Sequence, residues 1–264
     1  MREAEKLAIG DNLIFEGMTS IRAVIAAIES GESDRRILKL TVAESRTGAR
    51  AKELSYLKAM SYKYGFPIET VPDSEVESIA VGNNHGGLLL ETTVRSIPSL
   101  TAEAVAEIPE NERYFVMIEG IEDPYNFGYA LRSLYASGVS AVILSPRNWM
   151  SVAGIVCRAS AGASEAVKTF VCDSVSDCIG IMKAAGMKIV CADMKNSVSI
   201  YEANLKKPLF LAIGGERRGL SKELLSCADT VVRLEYGRDF PAALSAASAA
   251  SIAGFEVLRQ NLSR

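Results

Sequence analysis

A single histidine, a single tryptophan and no excess of positive charge set the first limits on this 264-residue chain. With His85 alone, a histidine-ligated metal site has no ligands to draw on. The cysteines, Cys157, Cys172, Cys178, Cys191 and Cys227, are odd in number, and no pair is spaced C-x-x-C. They read as reduced thiols of a cytosolic protein, not a disulfide framework, and their spacing does not suit a cysteine-only zinc site. No metal is therefore expected. The formal net charge is −3 and the pI about 5.5, so bulk positive charge is not what would attract a nucleic acid. A local basic patch stays open. The chain has neither a G-x-G-x-x-G fingerprint nor a P-loop, which counts against a nucleotide-binding oxidoreductase. The first residues, Met-Arg-Glu-Ala-Glu-Lys, carry no apolar core of a signal peptide, and no apolar run reaches membrane-spanning length. A cytoplasmic protein without a membrane partner is expected.

What is present is ordinary for a soluble protein with a sizeable core: 48% hydrophobic and 23% charged residues. The length suits one or two domains. Residues 96–112 have a proline near each end and one helical turn between them, and read as a linker. It separates a small α/β unit, residues 1–95, from a larger domain, residues 113–264. In the first unit, Ile21, Val24, Ile25 and Ile28 mark one face of a helix that Gly31 ends. A strand over 36–42, a helix over 49–64, a strand over 66–71, a helical turn over 73–79 and a strand over 88–92 follow. Asn83 to Gly87 is a turn cluster containing His85, which reads as a turn residue or a contact rather than a catalyst. Arg35, Arg36 and Lys39, and Arg46, Arg50 and Lys52, are candidates either for phosphate contact or for a solvated face.

The larger domain alternates strand and helix. Strands fit at 114–119, 140–144, 167–171, 187–192, 208–213 and 230–234, and helices at 126–137, 150–159, 174–185, 221–226 and 243–260. That alternation predicts an α/β domain with a mostly parallel sheet covered by helices on both faces.

Three clusters fall at strand ends, where open α/β sheets bind ligands. The first runs from Ile118 to Ala136. It breaks at Asp123-Pro124, where Asn126 can cap the following helix, and carries Arg132 six residues further on. The second is Gly214-Gly-Glu216-Arg-Arg-Gly219, an apolar strand running into a glycine turn. The third joins Leu234-Glu-Tyr236 to Ala243-Leu244-Ser245.

In this order and spacing the clusters resemble the three motifs of the SpoU (TrmH) family of RNA ribose 2′-O-methyltransferases, of the SPOUT superfamily. Asn126, Gly128 and Arg132 match the first motif, and Gly214, Glu216 and Gly219 the second. Ser160-Ala-Gly-Ala163 is similar to a segment between them. Residues 13–92, with Glu16-Gly17 and His85-Gly86, are similar to the ribosomal-protein-like RNA-binding domain of the ribosomal-RNA members. The third motif departs: the family's Ser-Leu-Asn becomes Ala243-Leu244-Ser245. The resemblance implies a C-terminal trefoil knot, a homodimer that completes the site, S-adenosylmethionine as cofactor, and RNA as substrate, ribosomal more than transfer RNA. It implies Asn126, Arg132, Glu216 and Ser245 as catalytic residues, with Glu216 pairing Arg132. Gly214, Gly219, Leu234, Tyr236 and Leu244 would hold the cofactor, and Arg217 and Arg218 are candidates for phosphate contact. The departure leaves a non-catalytic RNA-binding member as the alternative.

Overall fold

A computed structural model describes residues 13–47, 51–82, 84–145 and 152–262. Arg50 and Asn83 lie outside the described residues. The chain packs as two units. Unit 1 comprises residues 1–96 and 148–166, and unit 2 residues 97–147 and 167–264.

In unit 1, β1 (Leu13–Glu16), β2 (Ile37–Ala43), β3 (Ile68–Val71) and β4 (Leu88–Thr92) form a sheet ordered β1-β4-β2-β3. Helices α1 (Gly17–Glu29), α2 (Ala51–Tyr64) and α3 (Asp73–Ile79) accompany it. The predicted elements are present, each within a few residues. β1 was not predicted, because Leu-Ile-Phe-Glu is too short to show a period, yet it pairs antiparallel with all but one residue of β4. The core gathers Phe15, Ile21, Val24, Ile25, Leu40, Leu57 and Leu90.

The division differs from the sequence boundary in one respect. The described residues 152–166, assigned by sequence to the larger domain, pack with unit 1. They contain α6 (Ala153–Ala159) and α7 (Ala163–Ala166), joined by Ala161 and Gly162, both at positive φ. Cys157 is part of the unit 1 core. A Cβ on Gly162 would lie 2.6 Å from Ala23 Cβ, so glycine lets this turn rest on α1. Two carboxylates tie the segment down. Glu165 takes Arg35 Nε at 3.1 Å and Nη2 at 3.3 Å. Both side chains are almost wholly buried, and the guanidinium lies 4.8 Å from the Phe15 ring centre. Glu16 accepts from Arg158 and from the backbone N–H groups of Val81 and Gly82. Arg35 is thus a buried structural cation, not an exposed phosphate contact. Lys39 is paired too, with Glu69 and Glu91.

Unit 2 contains α4 (Ala102–Ala106), β5 (Tyr114–Glu119), α5 (Pro124–Ala136), β6 (Ala141–Leu144), β7 (Thr169–Val171), α8 (Val175–Ala184), β8 (Lys188–Ala192), β9 (Val198–Ser199), β10 (Leu209–Gly214), α9 (Lys222–Cys227), β11 (Thr230–Arg233) and α10 (Ala246–Asn261). The sheet is ordered β7-β6-β5-β10-β8-β11-β9, with every pairing parallel. Its strands read as near-continuous apolar runs because both faces are covered. Phe115, Met117, Phe210 and Ala212 pack with Ile179 and Met182 of α8 and Leu224 of α9. The alternate residues Val116 and Leu211 are equally buried, and α10 packs on β10 and on α5. The sequence missed β9, only two residues long. Small residues bring α10 close to α5: Ala246, Ala247, Ala250, Ala253 and Gly254 are buried, and a Cβ on Gly254 would lie 2.6 Å from Ser137 Oγ.

Removing one member of a buried ion pair leaves the other charged and unsolvated, at a cost of about 3–5 kcal/mol. Glu165→Ala should lower the stability of unit 1 by that order in guanidinium unfolding, and Glu165→Gln by less. An unchanged midpoint for both would contradict the role given to this pair.

Candidate active site

The site grows from the carboxyl edge of β5 and β10, neighbours in register from Leu209↔Tyr114 to Gly214↔Glu119. After β5 the chain turns at Gly120, at positive φ, and α5 begins at Pro124. Asp123, not Asn126, caps this helix: its carboxylate accepts the N–H groups of Tyr125 and Asn126, each at 3.2 Å. Pro124 follows at the first helical position, where the missing N–H costs nothing. The correction matters because it leaves the Asn126 side chain free to bond elsewhere.

That side chain reaches the second cluster. Asn126 Nδ2 donates to Glu216 Oε1 at 2.9 Å. The same oxygen accepts from the backbone N–H of Ala246 at 3.2 Å, at the start of α10. One carboxylate oxygen therefore joins all three clusters. The loop carrying Glu216 is closed on itself. Gly219 N–H donates to Gly215 O at 3.0 Å, and a Cβ on Gly214 would stand 2.5–2.7 Å from the backbone of Gly219 and Leu220. A Cβ on Gly215 would collide with the Gly120 carbonyl. Two glycines are thus required by close backbone approach.

Glu119 was not singled out from sequence. Its carbonyl accepts from Gly215 N–H at 2.6 Å, and its carboxylate from Ser221 N–H at 2.6 Å. The only available signal was a charged residue ending the apolar run Tyr-Phe-Val-Met-Ile-Glu. Ser221 in turn caps α9 through Leu224 N–H.

The third cluster is a loop from Leu234 to Ser245. Tyr236 Oη accepts from Leu244 N–H at 3.2 Å, which cinches the loop, and the Phe240 ring lies 6.1 Å from that of Tyr236. Leu234, Tyr236 and Leu244 are half-buried. Ser245 caps α10, its Oγ accepting from Ser248 N–H at 3.1 Å. Asparagine and serine cap about equally well, so the departure at Ser245 keeps the helix start intact.

Arg132 is not joined to this junction. It is exposed and makes no hydrogen bond or ion pair among the described residues. Six residues along an α-helix turn about 240° beyond the first full turn, so Asn126 and Arg132 face different directions and do not share Glu216. Arg132 shares its face with Tyr125 and Tyr129, and Tyr135 is also exposed on α5, as are Ile252 and Phe255 on α10. Arg217 spans to Glu122 at 3.0 Å in an exposed pair. Burial pushes the Cys157 and Cys191 thiols up to about 12 and raises that of Cys178 as well, which makes these three poor nucleophiles. No group of acidic, cysteine or histidine side chains among the described residues could hold a metal ion.

Comparison with known proteins decides what this junction belongs to. The model of the SpoU rRNA methylase family matches residues 113–255, and that of the RNA 2′-O ribose methyltransferase substrate-binding domain matches residues 21–96. The chain belongs to the SpoU rRNA methylase family. Among SpoU-type relatives, the 23S rRNA (guanosine-2′-O-)-methyltransferase RlmB of Shewanella oneidensis is 26% identical over 92% of this chain and 96% of its own. YacO of Bacillus subtilis, named for the TrmH family of tRNA/rRNA methyltransferases, is 26% identical over 89% of this chain and 93% of its own. The fold matches an AdoMet-bound rRNA methyltransferase from Sinorhizobium meliloti with a TM-score of 0.77, at 24% identity, covering 98% of this chain and 90% of that one.

Glu216→Ala should cost about 1–3 kcal/mol, since it leaves the part-buried N–H of Ala246 without its acceptor. It should accelerate amide hydrogen exchange at Ala246 at least tenfold, which hydrogen-exchange NMR would read. Gly215→Ala should also cost about 1–3 kcal/mol, here through overpacking against Gly120.

Proposed function

We propose that the protein is an S-adenosylmethionine-dependent RNA 2′-O-ribose methyltransferase acting on ribosomal RNA in the cytoplasm. The observation that carries this is the junction at Glu216, which gathers Asn126, the glycine loop and the start of α10. The RlmB relatives, named as 23S rRNA methyltransferases and aligned over nine-tenths of the chain, support the ribosomal substrate. Among the described residues no helix is long and apolar enough to cross a membrane.

The cofactor would lie between the loop of Gly214 and Gly219 and the loop of Leu234, Tyr236 and Leu244. At Gly214, Gly215 and Gly219 the first has no side chains and offers backbone polar groups. The second offers half-buried apolar surface for an adenine ring. When bound, S-adenosylmethionine supplies an electrophilic methyl group on an already activated sulfonium.

The protein must then hold a ribose hydroxyl in line and stabilise the charge growing on its oxygen. Arg132 is the residue suited to this, a permanent cation with a planar fork that fits the neighbouring phosphate. With no hydrogen-bond or ion-pair partner among the described residues, its fork is available. Arginine does not accept a proton, and the chain's one histidine is outside unit 2. The hydroxyl proton therefore leaves late, to the substrate phosphate or to water. Asn126, oriented by Glu216, positions the ribose, and Ser245 holds the start of α10.

The same face supports a homodimer. Tyr125, Tyr129, Tyr135, Ile252 and Phe255 are all more than a third exposed on two adjoining helices, an apolar patch of the kind that marks interfaces. A second copy would cover it and bring Arg132 to its partner's Glu216 junction. The tight passage of Gly215 against Gly120 and the small-residue face of α10 suit a C-terminal trefoil knot. Ala243 favours one rival, a non-catalytic RNA-binding protein, and failure to bind S-adenosylmethionine would support it.

Arg132→Ala should lower methyl transfer by about 10²–10³-fold without weakening S-adenosylmethionine binding, measured with tritiated cofactor. Mixing Arg132→Ala with Glu216→Ala subunits should restore part of the activity if the site is shared across the dimer. Mapping 2′-O-methyl positions in RNA from cells with and without the gene names the substrate. If no ribosomal position is lost, the ribosomal assignment falls.

A further inference from the structure

Unit 1 has a cleft of about 330 Å³ lined by Ser45, Arg46, Asp73, Glu77, Asn84 and His85 above the turn Gly86-Gly87. This size is at the lower end of small-ligand sites. Both glycines have positive φ, and a Cβ on Gly87 would lie 2.6 Å from Arg46 Cγ and 3.0 Å from Ala43 Cβ. The glycine turn is therefore a bare bed for the arginine stem.

The polar groups divide sharply by commitment. Asp73 is occupied: it accepts Ser45 N–H at 3.1 Å and Ser45 Oγ. Those hydrogen bonds first, and the Arg46 charge less, hold its carboxyl below the ordinary value. Glu77 and Arg46 are different. Opposite in charge and lining the same cleft, they do not bond to each other, and neither makes a hydrogen bond or ion pair among the described residues. His85 Nδ1 accepts Gly87 N–H at 3.1 Å, so in the neutral ring Nε2 carries the hydrogen and is the donor. The cleft thus offers one free carboxylate, one free guanidinium and one imidazole N–H.

A phosphate would meet Arg46 but would be repelled by Glu77 and Asp73. A base presenting two adjacent N–H donors beside acceptors suits all three groups, and among the RNA bases that is guanine. Adenine presents an acceptor where guanine has N1–H, and uracil has a single N–H. Unpaired RNA bases are read in this way, by their edges. We propose that this cleft reads an unpaired guanine of the RNA substrate, with Glu77 accepting from N1–H and N2–H, and Arg46 and His85 donating to O6 and N7. The proposal rests on the RNA-directed function above, and specifies one nucleotide that unit 1 recognises.

His85 is the chain's only histidine, so its imidazole resonances report on this cleft alone in the full-length protein. Titration with GMP, IMP, AMP and inorganic phosphate should shift them saturably with GMP. IMP, which lacks the 2-amino group, should bind about tenfold more weakly, and AMP and phosphate should be weaker still. Glu77→Ala should weaken GMP at least tenfold and Glu77→Gln, which keeps one acceptor, less. Glu77 is exposed, so both variants should keep the wild-type spectrum elsewhere. An equal response to AMP or to phosphate overturns the guanine reading, as does no response to millimolar GMP. Because no methyl group moves in this titration, it succeeds or fails independently of the methyl-transfer assay.

Discussion

A single carboxylate oxygen holds the candidate active site together. Glu216 Oε1 takes one donor from a side chain 90 residues earlier and another from a backbone N–H 30 residues later. Both are charge-assisted bonds, stronger than their neutral counterparts. The backbone donor is at the N-terminus of a 16-residue helix, where a negative charge is favoured. Glutamate has the reach and the charge for this position; glutamine keeps only the reach. The junction depends in turn on the backbone beneath it. Gly214 and Gly215 leave no room for side chains, so the turn that presents Glu216 has little freedom to present it elsewhere.

The sequence made the parallel sheet legible because buried strands and amphipathic helices differ in period and length. The apolar runs at 114–119 and 208–213 became β5 and β10, neighbours in register. The three clusters were legible because glycine and proline punctuate them. What stayed hidden depends on distance along the chain. The cap at Asp123 was legible, because proline favours the first helical position and Pro124 follows it, but reading Asn126 as the cap passed over that signal. The Arg35–Glu165 pair joins residues 130 apart, so Arg35 read as one more surface cation. The same holds for residues 152–166. Their helical pattern is visible, but the unit whose core receives Cys157 is not.

Within one chain Glu216 does not pair with Arg132 as expected, and the difference bears on the chemistry. An arginine locked to a carboxylate has part of its charge neutralised and its fork occupied. The observed arrangement separates the two roles. Glu216 is spent on architecture, and Arg132 keeps its charge on a face rich in exposed aromatic residues. A residue that must stabilise charge appearing only in the transition state acts best when it is not already satisfied in the ground state.

That separation extends to the whole chain and bears on how an acidic protein can recognise RNA. Arg35, Lys39, Lys63, Arg95, Arg158, Arg217, Arg233 and Arg259 all have carboxylate partners. Arg36, Arg46, Lys58, Arg132, Lys168, Lys183, Lys195, Arg218, Lys222 and Arg238 have no carboxylate partner among the described residues and keep their full charge. The net charge of −3 gives no long-range attraction, so these cations act only where RNA comes close to them. The number that meet phosphates then sets both the affinity and its salt dependence. Such contacts position the RNA without reading its sequence, which falls to groups that touch base edges.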